Sequence, residues 1–321
     1  MAIVGYAIRR VLTGIIVVWL VATATFFLFF ARSPTIVARQ LAGHAATPQV
    51  INEVITNLGL NQPIMTQYWH FINGLLHGNL GYSFFTQQSV NTMLKQDLPP
   101  TLSLVIGGVI IWLVVGLSVG ILSATRSRSL FDRLSNVAVL IGLSLPVFVI
   151  GEFLILVVFV PLNQHGITWI QTGYAGITQG IGTWVGHMIL PWITLAATEA
   201  AIYTRLIRGQ LFDTLGEDYI RTARSKGLSE RRVVFRHGVR AALTPVVSQL
   251  GVDVGALLGG VVVVEVVFGL GGLGQTAVEA VSKGDLPVIL GFTILAAIFV
   301  VVANIVVDMM YAVLDPRVRI T

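Results

Sequence analysis

From Val11 to Ala31 the chain runs twenty-one residues without a charge, and comparable apolar runs recur at about Thr101–Thr125, Ser135–Val160, Val185–Tyr203, Leu243–Phe268 and Pro287–Leu314. Each has the roughly twenty residues that a helix rising 1.5 Å per residue needs to cross about 30 Å of hydrocarbon. With 55% hydrophobic and 11% charged residues and a mean hydropathy of +0.84, the 321 residues carry too much apolar surface for a soluble globule. The expected fold is an all-α integral membrane protein, one transmembrane domain over residues 1–321 with six spans. Arg9 and Arg10 precede the first run as they would in a signal peptide. The run is too long for a cleavable segment and no small-residue cleavage site follows, so it reads as a retained span.

Six spans put both termini on one side, and the basic residues say which. Arg9 and Arg10, Arg126, Arg128 and Arg133, the nine Lys and Arg from Arg205 to Arg240, and Arg317 with Arg319 make sixteen on one side. Only Arg32, Arg39, Lys95 and Lys283 fall on the other. The positive-inside bias then predicts cytoplasmic termini. The same bias accounts for the formal charge of +5 without nucleic acid as a partner. The absence of cysteine excludes disulfides and thiolate metal sites within the chain.

The first loop, residues 32–100, is predicted to be external. Val50–Leu58 and Tyr68–Leu76 carry helical spacing, punctuated by Pro48, Pro63 and the Gly78-Asn79-Leu80-Gly81 turn, so short helices at the outer surface are expected. The run Gly269-Leu270-Gly271-Gly272-Leu273-Gly274 lacks the Lys and Ser or Thr of a phosphate loop, with Gln275 in their place, and reads as a flexible external loop.

The longest basic loop, residues 205–242, is helix-forming. Between Glu217 and Lys226 acids occupy the first turn and bases the last, which complements a helix dipole; Gly227 suits a left-handed cap, and Ser229 with Glu230 opens a second short helix through Arg232 to Val239. Taken alone, two helices around a glycine turn fit a DNA-reading motif or an amphipathic hairpin on anionic lipid as well as a docking element. Tethering between spans argues against the first.

The stretch Glu217-Asp218-Tyr219-Ile220-Arg221-Thr222-Ala223-Arg224-Ser225-Lys226-Gly227-Leu228-Ser229 resembles the coupling loop of ABC-transporter permeases of the dipeptide and oligopeptide importers. In that wider group the loop reads Glu-Ala-Ala, three residues, then Gly; here Arg221, Thr222 and Ala223 take the three places and Gly227 keeps the glycine. Thr244-Pro245, eighteen residues past Gly227 at the proline, stands where the general pattern has Leu-Pro after thirteen, a longer form similar to the peptide-importer branch. Leu58-Gly59-Leu60-Asn61-Gln62-Pro63, the run from Leu75 to Phe84, and Leu314-Asp315-Pro316-Arg317-Val318-Arg319 resemble signatures of the first permease subunit, the peptide permease B type.

The resemblance implies a type I ABC importer permease fold in the bacterial plasma (inner) membrane. It implies four kinds of partner: a second homologous permease, two ATPase subunits or domains that bind ATP and Mg, an extracytoplasmic solute-binding protein, and membrane lipid. It also implies that Glu217, Asp218, Arg221, Thr222, Ala223, Lys226, Gly227, Leu228 and Ser229 form the ATPase-coupling element, moved as the ATPases close. With no phosphate loop of its own, the chain is expected to be a transporter subunit and not an enzyme, with no cofactor and no metal. The expected cargo is a di- or oligopeptide, the same permease type for nickel, glutathione or haem being the alternative. An ion-coupled secondary transporter is a further class, but no internal repeat supports it.

Glu152, Glu199, Asp253, Glu265 and Asp308 lie in or near the apolar runs, where an ionised acid facing lipid costs about 2.5–3.5 kcal/mol. Glu199, Asp253 and Glu265 are the candidates to line a pathway that tolerates a peptide's ammonium end; hydrogen bonds to backbone or partner groups are the competing explanation. Gly116 with Gly120, and Gly251, Gly255 and Gly259, recur every four residues and predict close helix packing. Pro146 and Pro191 are expected to bend the spans that hold them. The six histidines have no metal-ligand spacing.

Overall fold

The computed structural model describes residues 2–31, 33–42, 46–57, 59–83 and 85–314, without the side chains of residues 2–4, 6, 7, 40, 254–256, 258–260 and 307–314. The terminal motif Asp315–Arg319, the Asp308 carboxyl, Gly255, Gly259, Arg32, Leu58 and Phe84 lie outside that description. What is described is almost wholly helical. In hydrocarbon no water can satisfy a backbone N–H, and a helix satisfies each one within its own segment. Five helices are long and apolar enough to span a bilayer: Ile8–Phe30, Val90–Thr125, Val147–Gln164, Ile181–Leu215 and Leu286–Val306. Val261–Phe268 with Leu273–Lys283, across a glycine break, make a sixth if taken as one span.

The chain divides into two compact units, one of residues 3–99 and 271–305, the other of residues 100–270 with the end of the last helix. The first unit holds α1 (Ala2–Phe30), α2 (Pro34–Ala42), α3 (Pro48–Asn57), α4 (Ile64–Leu76) and a two-residue hairpin, β1 (Tyr82–Ser83) with β2 (Gln88–Ser89), in register Tyr82↔Ser89. The short helices expected in the first loop are therefore present. Val37, Ala38, Leu41, Ile51, Val54 and Leu286 close one core, and Phe26, Tyr68 and Ile72 another, with Phe26 stacked on Phe30 at 5.0 Å. The turn before α5 (Val90–Thr125) is held by Asn91, whose side chain accepts from Leu80 N–H at 3.1 Å and donates to the Gly78 carbonyl. Gly78 and Gly81 both take positive φ there, +73° and +99°.

The second unit comprises the rest of α5, then α6 (Leu130–Ser144), α7 (Val147–Leu154), a π-helical segment Ile155–Phe159, α8 (Val160–Gln164), α9 (Ile181–Leu215), α10 (Asp218–Ser225), α11 (Glu230–Arg232), a second π segment Val233–Val239, and α12 (Arg240–Phe268). After it, α13 (Leu273–Lys283) and most of α14 (Leu286–Leu314) belong to the first unit. Trp112, Tyr203, Leu104, Met188, Ile207 and Leu211 form the fully buried centre of the second unit. The glycine stripe of α5 sits against α9 as small-residue packing requires. A Cβ at Gly116 would lie 3.1 Å from the Ala200 carbonyl oxygen, and one at Gly120 2.7 Å from that of Thr204.

Four expectations are corrected. The run Ser135–Val160 is not one helix: it breaks at Leu145, which is extended (φ −97°, ψ 129°), the geometry that the ring of Pro146 favours for the residue before it. The second run begins well before Thr101, since α5 is helical through Pro99 and Pro100. The fourth run does not end at Tyr203; α9 continues to Leu215 and puts Arg205 and Arg208 on the span helix itself. The flexible loop expected after Phe268 is a turn at Gly269 and Gly271, both left-handed, followed by the ordered helix α13.

Candidate functional site

With α9 reaching Leu215 and helix resuming at Glu230, the basic loop contracts to residues 216–229 around α10. Glu217 is extended and starts α10, its carbonyl accepting from Ile220 N–H at 3.0 Å and Arg221 N–H at 3.2 Å. Asp218 stands in the first turn and Arg224 in the last, as the dipole favours. The C-terminus closes as a Schellman motif. Gly227 N–H donates to the Arg224 carbonyl at 2.9 Å and Leu228 N–H to that of Ala223 at 3.4 Å, with Gly227 left-handed at φ +75°. Ser229 then caps α11 through its backbone carbonyl, which accepts from Arg232 and Val233.

The second helix is not the short independent element expected from Ser229 to Val239. From Glu230 to Phe268 the chain stays helical, passing through the π segment 233–239 into α12. The hairpin is thus α10 suspended between the ends of two long helices. A small core fixes it: Ile220, Ala223 and Val233 are buried against Leu215 and Leu228. Arg224 spans the glycine turn, with Glu230 oxygens at 2.6 and 3.1 Å from its guanidinium, and this contact holds the Glu230 carboxyl below its ordinary range.

Of the nine residues expected to form the coupling element, Glu217, Asp218, Arg221, Thr222, Lys226, Gly227 and Ser229 are exposed. Ala223 and the half-buried Leu228 face inward and build the element. Arg221 approaches Asp218 at 3.5 Å with both side chains largely in solvent, a contact that holds little. Tyr219 is 47% exposed on the same helix.

The acids in the apolar runs separate into three settings. Asp253 accepts from the Tyr203 hydroxyl and from the Gln249 amide, each at 2.8 Å, and Glu199 stands one turn before Tyr203 on α9. Glu199 Oε2 is buried and has no hydrogen-bond partner among the described residues. Glu265 lies apart from them, fully buried, and accepts from the Thr101 hydroxyl at 2.5 Å. Glu152 is exposed on α7.

A second polar cluster had no signal in the sequence. Arg208 grips Asp132 in fork geometry, Nε to Oδ1 at 2.7 Å and Nη2 to Oδ2 at 3.0 Å. Ser123 Oγ–H and the Arg128 N–H add to the same carboxylate, and the arginine holds it well below the usual carboxylate range. The partners lie 76 residues apart, so no local pattern could pair them.

Residues 116–320 match the family described as "Binding-protein-dependent transport system inner membrane component", and residues 3–105 match the N-terminal region of such membrane components. The chain is 37% identical over 315 residues to the "Probable peptide ABC transporter permease protein y4tP" of Sinorhizobium fredii, covering 98% of this chain and 99% of that protein. With the same coverage it is 39% identical to the "Glutathione transport system permease protein GsiC" of Shigella flexneri and 38% to that of Escherichia coli K12.

Proposed function

As the chain belongs to the binding-protein-dependent transport system inner membrane components, it is a permease subunit of an ABC importer in the bacterial inner membrane, and we propose that its cargo is a di- or oligopeptide. One observation carries the mechanism: α10, with its polar face outward, is locked by its own small core to the end of α9 and to the helix that becomes α12. Two ATPase subunits closing beneath the membrane would push α10, and because both neighbouring helices run on without a loop, the push rotates spans and not a linker. The excess of basic residues counted in the sequence for the loops on the α10 side supports a cytoplasmic position for α10. A second homologous permease completes the pathway, an extracytoplasmic binding protein delivers the solute, and ATP and Mg are held by the partners.

The peptide reading is supported by the relative named a peptide permease, and the relatives named for glutathione, itself a tripeptide, keep that cargo as the second reading. Glu199 and Asp253 are the residues we assign to the pathway, where their charge would favour an ammonium end. Glu265, packed and hydrogen-bonded, is given a structural role. The test is co-purification of the chain with an ATPase and a second permease encoded beside it, then ATP-driven uptake of labelled di-, tri- and hexapeptides and of glutathione in proteoliposomes with the binding protein. Since the chain has no cysteine, Lys226→Cys would react with an impermeant maleimide from the cytoplasmic side alone. Uptake that ignores ATP and follows a proton gradient overturns the assignment.

A further inference from the structure

Resting on the coupling role proposed above, we propose that Asp132 and Arg208 form a strut that carries the displacement of the hairpin from α9 into α5 and α6. The helices α9 and α12 are joined to the hairpin by the chain itself; α5 and α6 are not. Part of their packing on α9 is of small residues, beside large core side chains such as Trp112 against Tyr203. Gly116 and Gly120 of α5 lie against Ala200 and Thr204, and Gly142 of α6 lies against Ala201, where a Cβ would be at 3.1 Å. Small residues of that kind let the helix backbones approach closely, but the contacts they make are not directional.

The strut adds a directional polar contact at one end. Asp132, 4% exposed in the first turn of α6, accepts from Arg208 of α9, from Ser123 in the last turns of α5, from Asn136 Nδ2 at 3.0 Å and from the N–H of Arg128, whose φ of +64° turns it onto the carboxylate. Three helices and the turn between two of them therefore meet on one carboxylate. The two parallel bonds from Arg208 fix direction as well as distance, which a single contact or an apolar one would not. From Arg208 the helix runs unbroken to Leu211 and Leu215, which lie 3.0 and 3.2 Å from where a Gly238 Cβ would be, and Leu215 also packs in the hairpin core. A movement of α10 reaches Arg208 through rigid helix, and Asp132 passes it on.

The experiment uses the complete transporter, with its second permease, ATPases and binding protein, in proteoliposomes, and reads solute moved per ATP hydrolysed alongside the melting temperature of the complex. Asp132→Asn is expected to lower that ratio by about fivefold or more while the ATPases stay bound and active. Arg208→Lys, which keeps the charge and loses the fork, is expected to fall between, and Ser123→Ala to stay near wild type. An unchanged ratio in Asp132→Asn overturns the proposal. So does a proportional fall of uptake and hydrolysis with the melting temperature, the behaviour of a pair that merely stabilises. If Asp132→Asn does not assemble, Arg208→Lys is read by the same criteria. Failure of the wild-type chain to bind any ATPase would instead remove the coupling reading itself.

Discussion

Replacing Gly227 by valine isolates the turn on which the proposed coupling role depends. Gly227 has φ +75°, and nothing lies within 4 Å of the position that a Cβ would take. The substitution therefore meets no steric wall, and its whole effect is the conformational cost of an L-residue in left-handed geometry, about 1–2 kcal/mol. That cost lowers the ratio of the intact Schellman turn to its unwound alternatives by a factor of about 5–30. Asparagine tolerates this region and alanine does not, so the series Gly227→Asn, Gly227→Ala, Gly227→Val should lose transport per ATP in that order. The assay is simultaneous ATP hydrolysis and peptide uptake by the assembled transporter in proteoliposomes. The ATPases should keep hydrolysing in the valine variant while uptake drops. Valine behaving as wild type would refute the reasoning. Asparagine as damaging as valine would refute it too, because the penalty would then be side-chain bulk against a partner and not backbone strain.

Gly120→Ala should destabilise the permease by about 1–3 kcal/mol, because its Cβ would stand 2.7 Å from a backbone oxygen that cannot swing away; a thermal melt of the detergent-solubilised chain checks this, with exposed Gly5→Ala as the neutral control. Asp253→Asn should impair uptake of cationic peptides more than neutral ones, whereas Glu265→Gln should affect both alike; equal effects from Asp253→Asn would remove the electrostatic role. Asp132 has a carboxyl held below its ordinary 3.8, so its contribution is present above that pH and lost only as the pH falls toward the depressed value. The melting difference between wild type and Asp132→Asn should accordingly be the same at pH 5 and pH 8, and a difference that shrinks at pH 5 would contradict the buried pair.

In the coupling role proposed here, continuity of helix would make the hairpin a lever. Had Arg205–Leu215 been loop, a push on α10 would dissipate as loop bending. With α9 helical to Leu215 and the chain helical again from Glu230, displacement of a short helix would become rotation of long ones. The π segment at 233–239 lies where α12 leaves the hairpin, and Gly238 there lets Leu211 and Leu215 approach. Substitutions along this path should change coupling before they change folding.

Much of this was legible in the linear order of residues, because the forces concerned are local. A run of about twenty apolar residues spans a bilayer wherever it occurs, small residues at every fourth place on α5 make one helix face, and Gly227 after a last turn containing Arg224 ends a helix by its own backbone freedom. Pro146 also announced its break, although the sequence reading took it for a bend. Tertiary structure alone decided which polar groups meet. Asp132 and Arg208 are 76 residues apart and Thr101 and Glu265 are 164 apart, and neither pairing leaves a periodic trace. The same holds for the ends of α9 and the start of α12: residues polar enough to read as loop stay helical because Leu211, Ile220 and Val233 are buried there, with Leu215 half-buried against them. Local propensity sets what a segment can be, and burial against distant segments settles what it is.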